Sequence, residues 1–566
     1  MLYCAFPALQ AQGPAYYRLP LDSNMTLSLA GNFGEPRENH FHSGVDFRVG
    51  GQPGARLYAV AGGYVSRISV SPGGYGKAIY IKHPNGATSV YAHLHTFPSK
   101  IKKYIERIQY RKQRFAVNEY LDSTLFPVKK GQVVGIAGNS GNSFGAHLHF
   151  ELRETATDKT LNMIKGGVYR TPDNIPPKIH NIVFYEYGKS SGIPEISPYS
   201  LYVIGNIRKE NVVTVPDTFF VAVDVDDRQN GPSGVLGVNR LVVKLDKEVI
   251  FAYRMDGFLF EDTKYINSLM AYDWWITQKR PLVKTYLEPG NKLLYVYDKV
   301  VNNGLVTLSD SLVHIMEVIA YDDVGNTSLV AFNVRKRKPA VSTGETITNE
   351  ADKPFEVKKV PMFHDSLNVF HERGLKVTVP AGGLYRPVWF TADTLPRPNS
   401  ACSAYWRIHT AETPLHHAAQ IHLPADVPKH LQSKAVVASY NSKGKITSSG
   451  GTWDGDGVGA SISSFGDYFV ALDTVPPLIE PQFARRANLK RREKLSVKIT
   501  DNLSGIGSYS ATIDGNWALM EYDAKDNMLE YFFDPARLKR DQTHTLVVTV
   551  KDKRLNVSTF ETDFIW

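Results

Sequence analysis

Cysteine is nearly absent: 566 residues hold two, Cys4 and Cys402. That excludes a disulfide scaffold and a thiolate zinc site, so any bound metal must be held by histidine and carboxylate side chains. No run of 18 apolar residues occurs, and no segment reads as a transmembrane helix. Sustained 3.6-residue periodicity is scarce, which argues against a helical protein. The motif H-E-x-x-H is missing, so chemistry built on two histidines of one helix is excluded. Zinc-finger spacing, an RRM-like aromatic signature and a basic zipper are missing too, leaving nothing that reads as a nucleic-acid module.

What is present is ordinary globular protein, with 43% hydrophobic and 21% charged residues. The length exceeds one hydrophobic core and predicts three or four domains. Frequent Tyr and Phe, with recurring turn dipeptides, predict a mostly β chain. A formal charge of +9 suits an anionic partner, and cell-wall polymer, nucleic acid and acidic lipid headgroups all qualify on charge alone. The opening "MLYCAFPALQAQGPAYY" reads as the tail of a secretory signal, residues 1–13, with a cleavage point before Gln12 and no basic n-region. Export to the periplasm or cell envelope is the expectation.

One repeat organises the second half. "DNIPPKI" (Asp173 to Ile179) returns as "DTVPPLI" (Asp473 to Ile479), each Pro-Pro marking entry to a domain. Downstream, "HIMEVIAYDDVGNTS" (His314 to Ser328) matches "HTLVVTVKDKRLNVS" (His544 to Ser558), with His, Asp, Asn and Ser at identical spacing. This predicts one Ig-like β-sandwich used at 172–338, with an insertion, and at 473–566. A further β-sandwich-like unit is expected at 355–472, after a charged linker near Arg335 to Pro354. The Asp and Asn of the repeated D-x-x-x-N read as turn formers rather than calcium ligands.

Residues 14–168 differ. "GARLYAVAGGYVSRISV" (Gly54 to Val70) predicts two strands about a Gly-Gly turn. "KAIYIKHPNGATSVYAHLH" (Lys77 to His95) predicts a hairpin closed at Asn85-Gly86. "SKIKKYIERIQYRKQRF" (Ser99 to Phe115) predicts a helix N-capped by Ser99, apolar at Ile101, Tyr104, Ile105 and Ile108, with a basic outer face.

Three H-x-H pairs stand out: His40/His42, His93/His95 and His147/His149. Strand side chains alternate, so His147 and His149, in what reads as a strand, project from one face. In "HFHSGVDF" a turn at Ser43-Gly44 folds Asp46 back beside His42, and a third ligand must come from another strand, with "GAHLHFELRE" offering candidates.

The H-x-x-x-D of "HSGVD", the "YAHL" of Tyr91 to Leu94 and the Gly-rich "GNSGNSFGAHLHFE" stand in one order that resembles LytM/lysostaphin-type zinc metallopeptidases. "FGEPR", "YAVAGGYV", "GGYGKAIYIKHPNG" and "VKKGQVVGIAGNSG" agree with it, over about residues 15–165. The resemblance implies an antiparallel β peptidase domain that hydrolyses peptide bonds of peptidoglycan. It implies His42, Asp46 and His149 as ligands of one zinc ion per chain, and His93 and His147 as catalytic histidines. His40 and His95 fall outside the motif. Ala146 replaces a proline common in relatives, and a basic insertion separates His93 from Val128. The fold expected is thus a LytM-like domain followed by three β-sandwich modules, the modules acting as spacers or as a surface for an envelope protein. The alternative is a non-catalytic LytM-like adaptor that binds or activates another hydrolase, a role usually accompanied by a broken ligand set.

Overall fold

The computed structural model describes residues 16–25, 27–204, 212–231, 234–338 and 358–566. The leader expected at 1–13 and the linker residues 339–354 lie outside them. Strands dominate every described region, arranged mainly as antiparallel sheets.

The N-terminal domain is built on one long sheet. Its strands run Leu29–Gly31, Val45–Gly51, Ala146–Glu154, Ala87–Ala92, Lys77–Lys82, Gly63–Val70 and Val117–Tyr120, each hydrogen-bonded to the next. The last-made long strand, Ala146–Glu154, therefore inserts between two earlier ones. Lys77–Lys82 and Ala87–Ala92 form the expected hairpin, and Gly86 takes a left-handed φ of 81° at its tip. Arg56–Tyr58 and Gly63–Val70 do not pair across the Gly-Gly as a hairpin would. The first instead joins Val133–Ala137 and Leu94–Thr96 in a three-stranded sheet.

Among the described residues one long helix occurs, Ser99–Lys112, and it buries Ile101, Ile105 and Ile108. Its N-cap is Pro98, not Ser99, and no side chain caps it. Pro98 holds an extended ψ of 148°, so the helix opens immediately after it and Ser99 already lies inside the first turn. It stops short of Phe115 because Gln113 turns left-handed, φ 47°.

The repeated modules share a topology. In the first, Val212–Val215 runs parallel to Thr327–Lys336; in the last, Ala487–Asn488 runs parallel to Val557–Ile565. The D-x-x-x-N turns match as well. Asp322 Oδ1 accepts the amides of Val324, Gly325 and Asn326, and Asp552 Oδ1 accepts those of Arg554 and Asn556. Ser328 and Ser558 each donate to the carbonyl of the second linker proline, Pro177 and Pro477. Between the modules lies a third sandwich, with sheets of six and five strands spanning Lys359 to Leu472.

Two packing features bear on the N-terminal domain. First, its core continues into the neighbouring module: Phe33 and Phe41 pack on Phe258, ring centroids 5.4 and 5.3 Å apart. The insertion of that module supplies Gly257–Leu259, which pairs with Lys159–Leu161 at the sheet edge. Second, the last module docks on the opposite side. Lys525 Nζ donates to the Asn139 carbonyl (2.8 Å), the Ala524 amide to that of Pro72 (3.2 Å), and Lys77 pairs with Glu521 (2.8 Å). Tyr110 of the helix meets Trp517 edge-on, and the Arg537 guanidinium lies 3.4 Å from its ring centroid. The helix's outer side thus meets the last module.

Candidate metal centre

Register brings the chemistry together. His149 sits opposite Asp46 on one neighbouring strand and opposite Ala92 on the other. His93 is the next residue after that pairing ends, and a left-handed φ of 58° turns it out of the strand. His42 precedes Val45–Gly51 by the tight turn at Ser43-Gly44. A Cβ on Gly44 would lie 2.3 Å from the Phe150 carbonyl oxygen, so the turn's close approach to the central strand requires glycine there.

The three side chains expected as ligands converge. His42 Nε2 lies 3.0 Å from Asp46 Oδ1 and 2.9 Å from His149 Nδ1, and His149 Nδ1 lies 2.9 Å from Asp46 Oδ1. All three residues are buried. His93 and His147 stand beside them, their rings 4.9 Å apart, with His147 Nε2 3.4 Å from Asp46 Oδ1. His147 alone of the four histidines is part-exposed. His40 is exposed on the short strand His40–Phe41, and His95 is exposed on Leu94–Thr96.

Each ring's far nitrogen fixes its proton. Nδ1 of His42 faces the Asn32 carbonyl at 2.7 Å, Nδ1 of His93 that of Ser140 at 2.8 Å, and Nδ1 of His147 that of Gly145 at 2.8 Å. Nε2 of His149 faces Glu151 Oε1 at 2.8 Å. Carbonyls and carboxylates only accept, so each of these nitrogens donates and the other carries the lone pair in the neutral ring. Lone pairs of His42 Nε2, His149 Nδ1 and Asp46 Oδ1 therefore meet with no donor among them. Such a set requires a proton or a cation, and two imidazoles with one carboxylate is a donor set that zinc accepts. The residues fit the ion.

The electrostatics agree. Burial, assisted by Arg37 and His149 and opposed by Asp46, lowers His42 to about 4, favouring its neutral, ligating form. Burial also disfavours protonated His149, but its hydrogen bonds to Asp46 and Glu151 outweigh that and push it up to about 9. Without a cation, His149 is thus the ring that holds the proton. Burial, with the neighbouring His149 and His147, drops His93 to about 3, leaving it neutral.

A second layer of residues was not anticipated from sequence. Glu151 accepts from His149, Ser43 and Tyr75, and Arg153 Nε closes its other oxygen at 2.5 Å. Arg37 Nη2 holds Asp46 Oδ2 at 2.7 Å, leaving Oδ1 for the centre. Glu35, beside Arg37, is raised to about 7 by burial, with Arg37 opposing and Asp46 adding to the shift. A signal for two of them existed: His147, His149, Glu151 and Arg153 share one strand face by the period of two. Arg37 lies in "FGEPR"; Ser43 and Tyr75 carried no signal of their own.

Two glycines before His147 make close intramolecular contacts. A Cβ on Gly138 would lie 2.3 Å from the His95 amide nitrogen, and one on Gly141 2.4 Å from that of Gly76. They pack this loop on its own chain, which holds the Ser140 carbonyl against His93. Gly145 alone has open space. A cavity of about 630 Å³ lies behind the same loop, lined by His95, Asn139 and Ser140 on one side and by Glu521 and Lys525 of the last module on the other.

A His–Asp–His donor set flanked by two further histidines thus gathers along one antiparallel sheet. Residues 40–110 match the model of Peptidase family M23. The N-terminal domain is thus the region of the chain that matches the M23 peptidases. Residues 359–473, the third sandwich, match a Zu5-like domain. Among curated proteins, the DD-carboxypeptidase/endopeptidase Mpg of Neisseria meningitidis is 30% identical over 112 residues, 20% of either chain. An uncharacterized metalloprotease of Haemophilus influenzae is 29% identical over 146 residues, 25% of either chain. The match therefore spans a fifth to a quarter of the curated relatives' length. Similar solved structures include the catalytic domain of the prophage-encoded M23 protein EnpA from Enterococcus faecalis, 23% identical, TM-score 0.18, covering 25% of this chain and 88% of that one. Another is a zinc-containing peptidase from Vibrio cholerae, 22% identical, TM-score 0.20, covering 28% and 40%.

Proposed function

We propose that this chain is an exported zinc metalloendopeptidase of the periplasm or cell envelope that hydrolyses peptide bonds of peptidoglycan. The observation that carries the proposal is the meeting of three lone pairs, from His42, Asp46 and His149, beside two histidines whose tautomers are fixed. His42, Asp46 and His149 would hold one zinc ion, which when bound polarises a scissile carbonyl and acidifies water toward a pKa of ~7.

The chain's residues supply the rest. His93 and His147 each present an unprotonated Nε2 toward the centre, because Ser140 and Gly145 hold their Nδ1–H groups. Either can take a proton from an attacking water; once protonated, it can donate to the oxyanion or the departing amine. Arg153 neutralises Glu151, and Arg37 neutralises the outer oxygen of Asp46. The β-sandwich modules are spacers or docking surfaces for an envelope protein.

Digestion of isolated sacculi, with mass analysis of released fragments, tests this reading and identifies the bond. Wild type should carry about one zinc per chain, as a three-ligand site requires, and release peptides. His149→Ala should lose both metal and activity, whereas His147→Ala should keep metal and lose turnover. An inert wild type across metal conditions supports the adaptor instead; activity in both variants overturns the site.

A further inference from the structure

The two Ig-like modules each gather three aspartates that the proposed peptidase chemistry does not use. In the first module these are Asp173, Asp227 and Asp322; in the last, Asp473, Asp501 and Asp552. They occupy equivalent places. Asp173 and Asp473 open the two Pro-Pro linkers. Asp227 and Asp501 follow the strands Thr218–Asp226 and Lys494–Thr500, and Asp322 and Asp552 are the D-x-x-x-N residues. Within each trio, one oxygen per residue lies within 4.8 Å of the others. A cation bound at 2.3–2.6 Å separates opposed ligands by about 5 Å, so the spacing suits a shared ion.

Clustered carboxylates alone do not make a site, but these retain buried, unanswered acceptors. Asp227 is 3% exposed and Asp473 fully buried, yet the Oδ1 of each has no hydrogen-bond partner. Asp501 Oδ1 is likewise unpartnered. None of the six aspartates is ion-paired among the described residues. A buried acceptor left unmet is costly, more so when charged, and each module retains at least one. Two members of the first trio, Asp173 and Asp227, also line a cavity of about 10 Å³ shared with Asp323 and with Leu29 and Ile164 of the N-terminal domain, with room on the scale of a single water.

We propose that each Ig-like module binds one calcium ion through its aspartate trio. The donors are all oxygens, which selects a hard cation over zinc, and calcium tolerates the irregular geometry of linker, strand end and turn better than magnesium does. Each ion clamps the entry linker to the end of the sandwich. The D-x-x-x-N aspartates keep their amide bonds while contributing remaining lone pairs, so turn formation and ligation are compatible.

The full chain, stripped with EGTA, desalted and given excess zinc to satisfy the histidine centre, is titrated with CaCl2 by calorimetry. Thermal melting with and without calcium runs alongside. Two calcium ions per chain and a raised Tm are expected, with a smaller response to magnesium. Asp227→Asn and Asp501→Asn should each remove one ion from the stoichiometry, and the double variant both. In EGTA these variants should melt no lower than wild type, because one of three facing carboxylates is now neutral. That comparison separates lost ligation from misfolding. Absence of calcium binding by wild type, one ion where two are expected, or two ions retained by the double variant overturns the proposal.

Discussion

Glu151 gathers four side chains at the back of the candidate centre, although it would not bind the ion. It orients His149, receives Ser43 and Tyr75, and is neutralised by Arg153. Glu151→Gln keeps an acceptor near His149 but removes the charge that makes Nδ1 a strong donor and that Arg153 needs. Metal affinity should fall about 10–100-fold, the usual effect of losing a ligand's orienting partner, as read by zinc competition titration. Circular dichroism should show the sheet intact. At this scale the sequence was legible where residue type advertises chemistry. Histidines separated by one residue announce a shared face; Glu151 and Arg153 continue that face but look like ordinary strand charges. The carbonyls of Asn32, Ser140 and Gly145 fix tautomers through backbone atoms, which no residue letter encodes.

At the scale of elements, the centre depends on how closely the 42–44 turn approaches Ala146–Glu154. Gly44→Ala places a methyl 2.3 Å from the Phe150 oxygen, against backbone that cannot rotate away. The turn or the strand must shift, moving His42 relative to His149. A lowered Tm together with weakened zinc binding should result, whereas alanine at Gly145, which faces open space, should leave both nearly unchanged. The hairpin at Asn85-Gly86 and the helix core were legible because local patterns specify them. The partner of Arg56–Tyr58 was not, since Val133–Ala137 arrives from far along the chain. Nor was the helix start, where Pro98 rather than the better capping residue Ser99 sets the boundary. The duplicated module was legible from spacing alone, down to its turn.

Across the whole molecule, the third sandwich carries a pH dependence of its own. His409 packs between Phe390 and Phe465, and burial, with Arg386 nearby, lowers its pKa from 6.5 to about 4. The unfolded chain then binds more protons than the folded one between pH 6.5 and 4. Stability from this group is full above 6.5 and is lost as pH falls through that window. Thermal melts from pH 7 to 4 should show the loss, and His409→Asn, which tolerates the left-handed φ of 55°, should flatten part of it. How the domains dock was not legible, because Tyr110, Trp517 and Arg537 look like unremarkable surface residues until the fold joins them. One of those contacts, Lys525 to Asn139, spans 386 residues. A chain made from its N-terminus holds every histidine of the centre long before Lys525 exists. The loop that sets His93 is buttressed only near the end of synthesis, so a nascent or prematurely terminated copy carries the reactive groups without that brace.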